Sequence, residues 1–140
     1  MADDKSLTST TQSIAVSALR AQQARMRIIA ENLANAGSTS KTPGGDPYRR
    51  QAPVFQPMPI AGGGTGVKMT RAVPDQSPFN STFEPGNPSA DATGYVKTPN
   101  VDPLIEALDM KDAQRAYEAN LNVIETARSM DTRTLDLLKQ

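Results

Sequence analysis

NVDPLIEALDMKDAQRAYEANLNVIETARSMDTRTLDLLKQ, residues 100–140, decides the architecture of this chain. The stretch contains no glycine, and its one proline, Pro103, stands directly behind Asp102. Asp102 suits an N-cap, and proline is best tolerated at the first helical position, where its missing N–H would have had no partner. Apolar residues then recur at Met110, Ala113, Tyr117, Leu121, Ile124, Leu135 and Leu138, in steps of three, four or seven until a gap after Ile124. That spacing predicts one face of a single helix. Over Pro103–Leu138 it would be about 54 Å long at about 1.5 Å per residue, so it needs a partner along its length.

A second helical pattern lies at the other end. From Ser13 to Ala36, residues Ala15, Leu19, Met26, Ile29, Leu33 and Ala36 form a stripe, widened by Ile14, Ala18, Ala21 and Ile28 and interrupted by Gln22. The many small side chains let another backbone approach closely. Gly37 is expected to close the helix in a left-handed conformation. Residues 1–12, polar and rich in serine and threonine, read as a mobile leader, so residues 1–36 comprise leader and N-terminal helix.

The centre is of another kind. All 11 prolines lie between Pro43 and Pro103, all 9 glycines between Gly37 and Gly94, and five of the six aromatic residues fall in the same region. Breakers are thus concentrated in residues 37–100 and absent from the interior of the helices on either side, the second of which occupies 101–140 with Pro103 at its start. Within the centre, Arg49–Phe55 and Gly66–Val73 alternate loosely and are expected to form a small hairpin of edge strands. AGGGTG at Ala61–Gly66 reads as flexible linkage. The predicted fold is mainly α: two long terminal helices with a Pro/Gly-rich loop and β-hairpin insertion between them.

Composition excludes several functions. Fifteen basic and fifteen acidic residues leave no net charge, so no global field favours nucleic acid or anionic lipid. Without cysteine or histidine there is no disulfide, no thiolate metal site and no imidazole base. No apolar run reaches 18 residues, and the N-terminus lacks the basic start and apolar centre of a cleaved signal. No metal or cofactor is expected. The run Gly62–Lys68 matches neither GxxxxGK[ST] nor GxGxxG, and Pro74 and Pro78 follow where a phosphate loop needs a helix. Carboxylate pairs Asp109/Asp112 and Glu118/Glu125 read as the solvated face of a helix rather than as acid and base. Arg20, Arg25, Arg27, Arg49 and Arg50 are balanced by nearby acids, which argues against phosphate contacts. From Leu104 onward, seven acidic against five basic residues also oppose docking on anionic membrane.

Polar residues on the stripes carry more information. Asn32, Asn120, Arg128 and Asp131 sit on or beside apolar faces. Two readings stay open: residues satisfied within a helix seam or helix end, or hydrogen bonds and ion pairs to a neighbouring subunit that fix register.

Two motifs stand together, AENLANAGSTSKTPGGDPYRR at Ala30–Arg50 and GYVKTPNVDPLIEALDMKDAQRAYEANLNVIETA at Gly94–Ala127. Their arrangement resembles the axial proteins of the bacterial flagellum over nearly the whole chain. The ENLANA run indicates the broad family, shared by rod, hook and hook–filament junction proteins. FEPGNPSADATGY at Phe83–Tyr95 and the PNV before the last helix resemble the proximal rod subtype. Ala107, where the family usually has methionine, and Asp102–Pro103 after PNV depart from the pattern.

The resemblance implies a non-enzymatic structural subunit of the flagellar basal body. Its terminal helices would form an antiparallel coiled coil and its subunits a helical tube that transmits torque. Expected partners are copies of itself and other rod proteins, with ring proteins and the type III export apparatus around them, and neither nucleic acid nor membrane insertion. Export would need no cleaved signal. The expected interface residues are Leu19, Ile29, Leu33, Tyr117, Leu121 and Ile124 on the apolar faces, with Asn32, Asn35, Arg115, Asn120, Arg128 and Asp131 as polar contacts. A helical adaptor or chaperone-like binding module is the competing reading.

Overall fold

A computed structural model describes residues 2–140, with side chains from Leu7 onward. The order of elements is α1 (Ala2–Asn35), β1 (Gln51–Pro59), β2 (Thr65–Pro74), β3 (Asn80–Phe83), β4 (Tyr95–Thr98) and α2 (Pro103–Leu138). Two long helices thus flank two antiparallel two-stranded sheets, β1–β2 and β3–β4. The second hairpin is additional to the one expected. It arises in NSTF and YVKT, segments too short for alternation to reveal.

The start of α2 follows the sequence reading. Asp102 Oδ1 accepts from the N–H groups of Leu104 (2.9 Å) and Ile105 (3.3 Å), which caps the helix behind Pro103. Two other boundaries differ. The helical backbone of α1 begins at Ala2 rather than Ser13, taking in the residues expected as a leader. Its hydroxyls are absorbed by back-bonding, with Thr11 Oγ1 donating to Leu7 O and Ser13 Oγ to Ser9 O, both at 2.9 Å, so a Ser/Thr-rich composition does not break the helix. At the other end Gly37 is not in the left-handed region. Ala36 N donates to Leu33 O and Ser38 N to Asn35 O, while Ser38 Oγ also donates to Asn35 O, so the last carbonyls are satisfied without it.

The chain divides into two compact units. The first comprises Met1–Met26, Val54–Arg71 and Lys111–Gln140. Its fully buried helical positions are small: Ala15, Ser17 and Ala21 on α1, Ala113 and Ala127 on α2. On α2 the covered positions Ala113, Tyr117, Asn120, Ile124, Ala127 and Asp131 form a series in alternating steps of four and three, with Ala116 covered beside Tyr117. Leu121, assigned to the apolar face from sequence, is 37% exposed, and Asn120 takes the covered place beside it. A 3.5-residue repeat selects 120 where a 3.6-residue reading had selected 121. The hairpin approaches α1 at Gly66, whose missing side chain leaves room for Ser17. Ser17 Oγ accepts from Val67 N at 3.1 Å and donates to Ile14 O at 2.7 Å. The glycine run Gly62–Gly64 forms the hairpin turn, all three residues with positive φ.

The second unit comprises Arg27–Pro53 and Ala72–Met110. Its apolar core contains Ile28, Ile29, Val96 and Val101, and two polar side chains, Asn32 and Glu106, are buried with them. In its β3–β4 hairpin Asn80 pairs with Thr98 and Phe83 with Tyr95.

Candidate functional site

Burying Asn32 and Glu106 would be costly unless their hydrogen-bonding groups were satisfied. Asn32 is. Its Oδ1 accepts from Gln51 N (2.9 Å) and Tyr48 Oη (2.8 Å), and its Nδ2 donates to Gln51 O (2.9 Å) and Glu106 Oε2 (3.3 Å). These four bonds match the capacity of a side-chain amide.

Glu106, wholly buried, takes its charge partner from Arg50, whose Nε donates to Oε1. The same guanidinium faces Asp75 at 3.5 Å and Asp109 at 3.7 Å. Burial disfavours the Arg50 cation, yet the Glu106 hydrogen bond and the three surrounding carboxylates outweigh it and hold the guanidinium more firmly protonated than usual. Bonds from Ser77, backbone first and then side chain, with Arg50 beside it, hold the Asp75 carboxyl below the usual range. Tyr48 is raised, chiefly because its ring is desolvated and then because Glu31 and Glu106 oppose a phenolate.

A second asparagine works on the other side of the same strand. Asn100 Oδ1 accepts from Arg50 N (2.8 Å), while its Nδ2 donates to Asp75 O (3.1 Å), Ser77 O (3.1 Å) and Ser77 Oγ (3.0 Å). Asp75 N donates directly to Arg50 O at 2.8 Å. The Asn100 amide therefore stands in the ladder where a return backbone bond would be, and Asn32 supplies the partner on the outer edge. Arg49, beside it, stacks over Phe79 at 4.1 Å and donates to the carbonyls of Asp75 (2.7 Å) and Ser77 (3.0 Å). Neither Arg49 nor Arg50 is available for phosphate.

Of the residues expected at an interface, Asn32 alone enters this network. Asn35 and Asn120 each donate to the carbonyl four residues back, Glu31 O and Ala116 O, at 2.8 Å. Asp131 Oδ2 accepts from Gln12 Nε2 at 3.5 Å in the other unit. Ile29 is buried; Leu19, Leu33, Tyr117 and Ile124 are half-buried; Arg115 and Arg128 are exposed with Leu121. The sequence reading missed Tyr48, Arg50, Asn100 and Glu106 as a cluster. Glu106 left a signal, since it stands four residues before Met110 and continues the α2 stripe as a charged residue.

This arrangement anchors elements to one another and offers no reactive group. Among the described residues no three acidic side chains converge on a metal position, and no helix is long and apolar enough to cross a membrane. Residues 13–40 match the family model described as flagella basal body rod protein, and residues 92–137 that of the flagellar basal body rod FlgEFG protein C-terminal. The chain is 46% identical to the flagellar basal-body rod protein FlgC of Agrobacterium fabrum over 132 residues, covering 94% of this chain and 95% of that one. It is 47% identical to the FlgC of Salmonella typhimurium (89% and 92% covered) and 37% identical to that of Bacillus subtilis (90% and 95%). The chain belongs to the FlgC family of flagellar basal-body rod proteins, structural components rather than enzymes.

Proposed function

We propose that the chain is a subunit of the proximal rod, packing its terminal helices as an antiparallel coiled coil. Copies stack helically with other rod proteins into the shaft that carries motor torque to hook and filament. The observation that carries this reading is an inversion of the usual burial order. The first unit buries alanines, while Leu7, Val123, Met130, Leu135, Leu137 and Leu138 are left exposed. A buried alanine contributes on the order of 1 kcal/mol and a leucine about two to three times that, so the larger gain is reserved for surfaces that become covered on assembly. The alternating four- and three-residue steps of α2 support supercoiling. The Gln12–Asp131 and Asn32–Glu106 bonds, one in each unit, support antiparallel order, since each joins an early residue of one helix to a late residue of the other as counted from the chain's ends.

On this reading residues 37–100 face neighbouring rod and ring proteins, and the chain leaves through the flagellar type III apparatus without a cleaved signal. Fractionation tests it. A rod subunit sediments with detergent-resistant basal bodies, whereas an adaptor stays in the cytoplasm with one stoichiometric partner, and finding the protein only there would end the rod reading.

A further inference from the structure

Gln22, the polar interruption of the α1 stripe, lies level with a polar residue of α2. Counted from the Gln12–Asp131 bond, α1 presents Ala15, Leu19 and Gln22 in steps of three, four and three. Over the same layers α2 presents Ala127, Ile124 and Asn120 in steps of four, three and four. With the helices antiparallel, as proposed above, Ala15 stands level with Ala127, Leu19 with Ile124, and Gln22 with Asn120. Two side-chain amides thus share one layer of the first unit.

Their hydrogen bonding is incomplete. Among the described residues Gln22 Oε1 is the buried side-chain polar atom that lacks a partner. Such atoms are rare, because burying an unbonded polar group is unfavourable. Asn120 directs its Nδ2 to Ala116 O at 2.8 Å, within its own helix. That bond is dispensable, since an α-helix already supplies Ala116 O with the backbone N–H of Asn120. One amide therefore has an unused acceptor, and the other has a donor bonded where none is needed.

The surroundings allow the two to meet. Ala15 and Ala127, buried nearby in the seam, are small enough for the helices to draw together. Leu121 and Val123, on either side of Asn120 in α2, are 37% and 42% exposed, so the layer is bordered by wet apolar surface. Covering that surface in an assembly removes water from the layer, where an unpaired amide is most costly and a hydrogen bond strongest.

We propose that Gln22 and Asn120 form a clasp that closes on assembly. The Asn120 side chain turns away from Ala116 O, and its Nδ2 donates to Gln22 Oε1, fixing α1 against α2. Turning either amide end for end leaves a pair that can still bond, because each has a donor end and an acceptor end. The single subunit keeps the clasp open and its seam adjustable, and the assembled subunit holds it shut. This inference rests on the rod reading and adds a change within the subunit that accompanies assembly.

Two measurements with opposite expected signs test it. Gln22→Leu removes the unbonded acceptor and completes the apolar series, so the purified variant should melt at a higher temperature than wild type. The same variant should be depleted several-fold from basal bodies, because its clasp cannot close. Gln22→Asn together with Asn120→Gln exchanges the two amides and should return incorporation and swimming to near wild type. Gln22→Leu present in basal bodies at the wild-type level would overturn the proposal. So would a lower melting temperature of that variant, or an exchange variant that melts like wild type but does not incorporate. Wild-type protein absent from basal bodies would instead refute the rod reading.

Discussion

The side-chain amide of Asn32 bonds both the N–H and the C=O of Gln51, as a residue of an adjacent strand would. A helix side chain thereby completes the outer edge of β1. Replacing Asn32 with alanine leaves the two backbone groups and the Tyr48 hydroxyl without their partner, at about 1–3 kcal/mol for an orphaned buried group. Asn32→Ala should destabilise the second unit by about 2–4 kcal/mol, read by urea unfolding followed through tyrosine near-ultraviolet dichroism. Asn32→Asp should be at least as damaging, since a carboxylate loses both donated bonds and adds negative charge beside Glu106.

For Glu106 the expectation depends on what replaces it. Removing one member of a buried pair leaves the other charge uncompensated, typically at about 3–5 kcal/mol. Arg50 keeps Asp75 and Asp109 within 3.7 Å, and its side chain is 22% exposed, which softens the loss. Glu106→Ala should therefore cost about 2–4 kcal/mol in the same unfolding measurement. Glu106→Gln, which retains the shape and one acceptor, should cost roughly half as much; equal costs would mean that shape is irrelevant there.

Tyr48 supplies an alkaline limit. Its folded-state pKa lies above the unfolded value of about 10, so the native state holds the phenolic proton more tightly. Stability from this group is therefore intact below about pH 10 and is lost as pH rises through the folded value. Tyr48→Phe should flatten the fall in stability above pH 10 while costing about 1 kcal/mol at neutral pH for the bond to Asn32. An unchanged alkaline slope would assign the fall to another group.

In the first unit the seam is thin, and assembly should complete it. Ile124→Asp places a charge at a half-buried position of α2 and is expected to leave the protein synthesised but absent from basal bodies. Normal swimming of this variant would count against the seam. The 34 and 36 residues of α1 and α2 are half of the chain, and circular dichroism of the purified subunit should show less helix than that. Full helicity with cooperative melting would contradict it.

Both helices, the Asp102 cap and the first hairpin were legible because each leaves a local pattern of period, capping residue or breaker. Asn32 stood out as a polar residue on an apolar stripe. Its partners did not, because Gln51, Tyr48 and Glu106 are brought to it by tertiary pairing across up to 74 residues, and no periodicity reports such distances. The role of Asn100 was hidden for a related reason: an amide substituting for backbone in a ladder looks in sequence like any turn asparagine. The choice of Asn120 over Leu121 on α2 depended on a tenth of a residue per turn, which few positions cannot resolve.

The asparagine-spliced ladder also imposes an order of events in time. Gln51 obtains its outer partner from residue 32, Arg50 its return bond from residue 100, and its buried counter-ion from residue 106. A chain that emerges N-terminus first therefore leaves the Arg50 N–H and guanidinium in water until Asn100 and Glu106, 50 and 56 residues further on, have followed. Closing the second unit is a late step, and a fragment ending before Asn100 has nothing with which to close it.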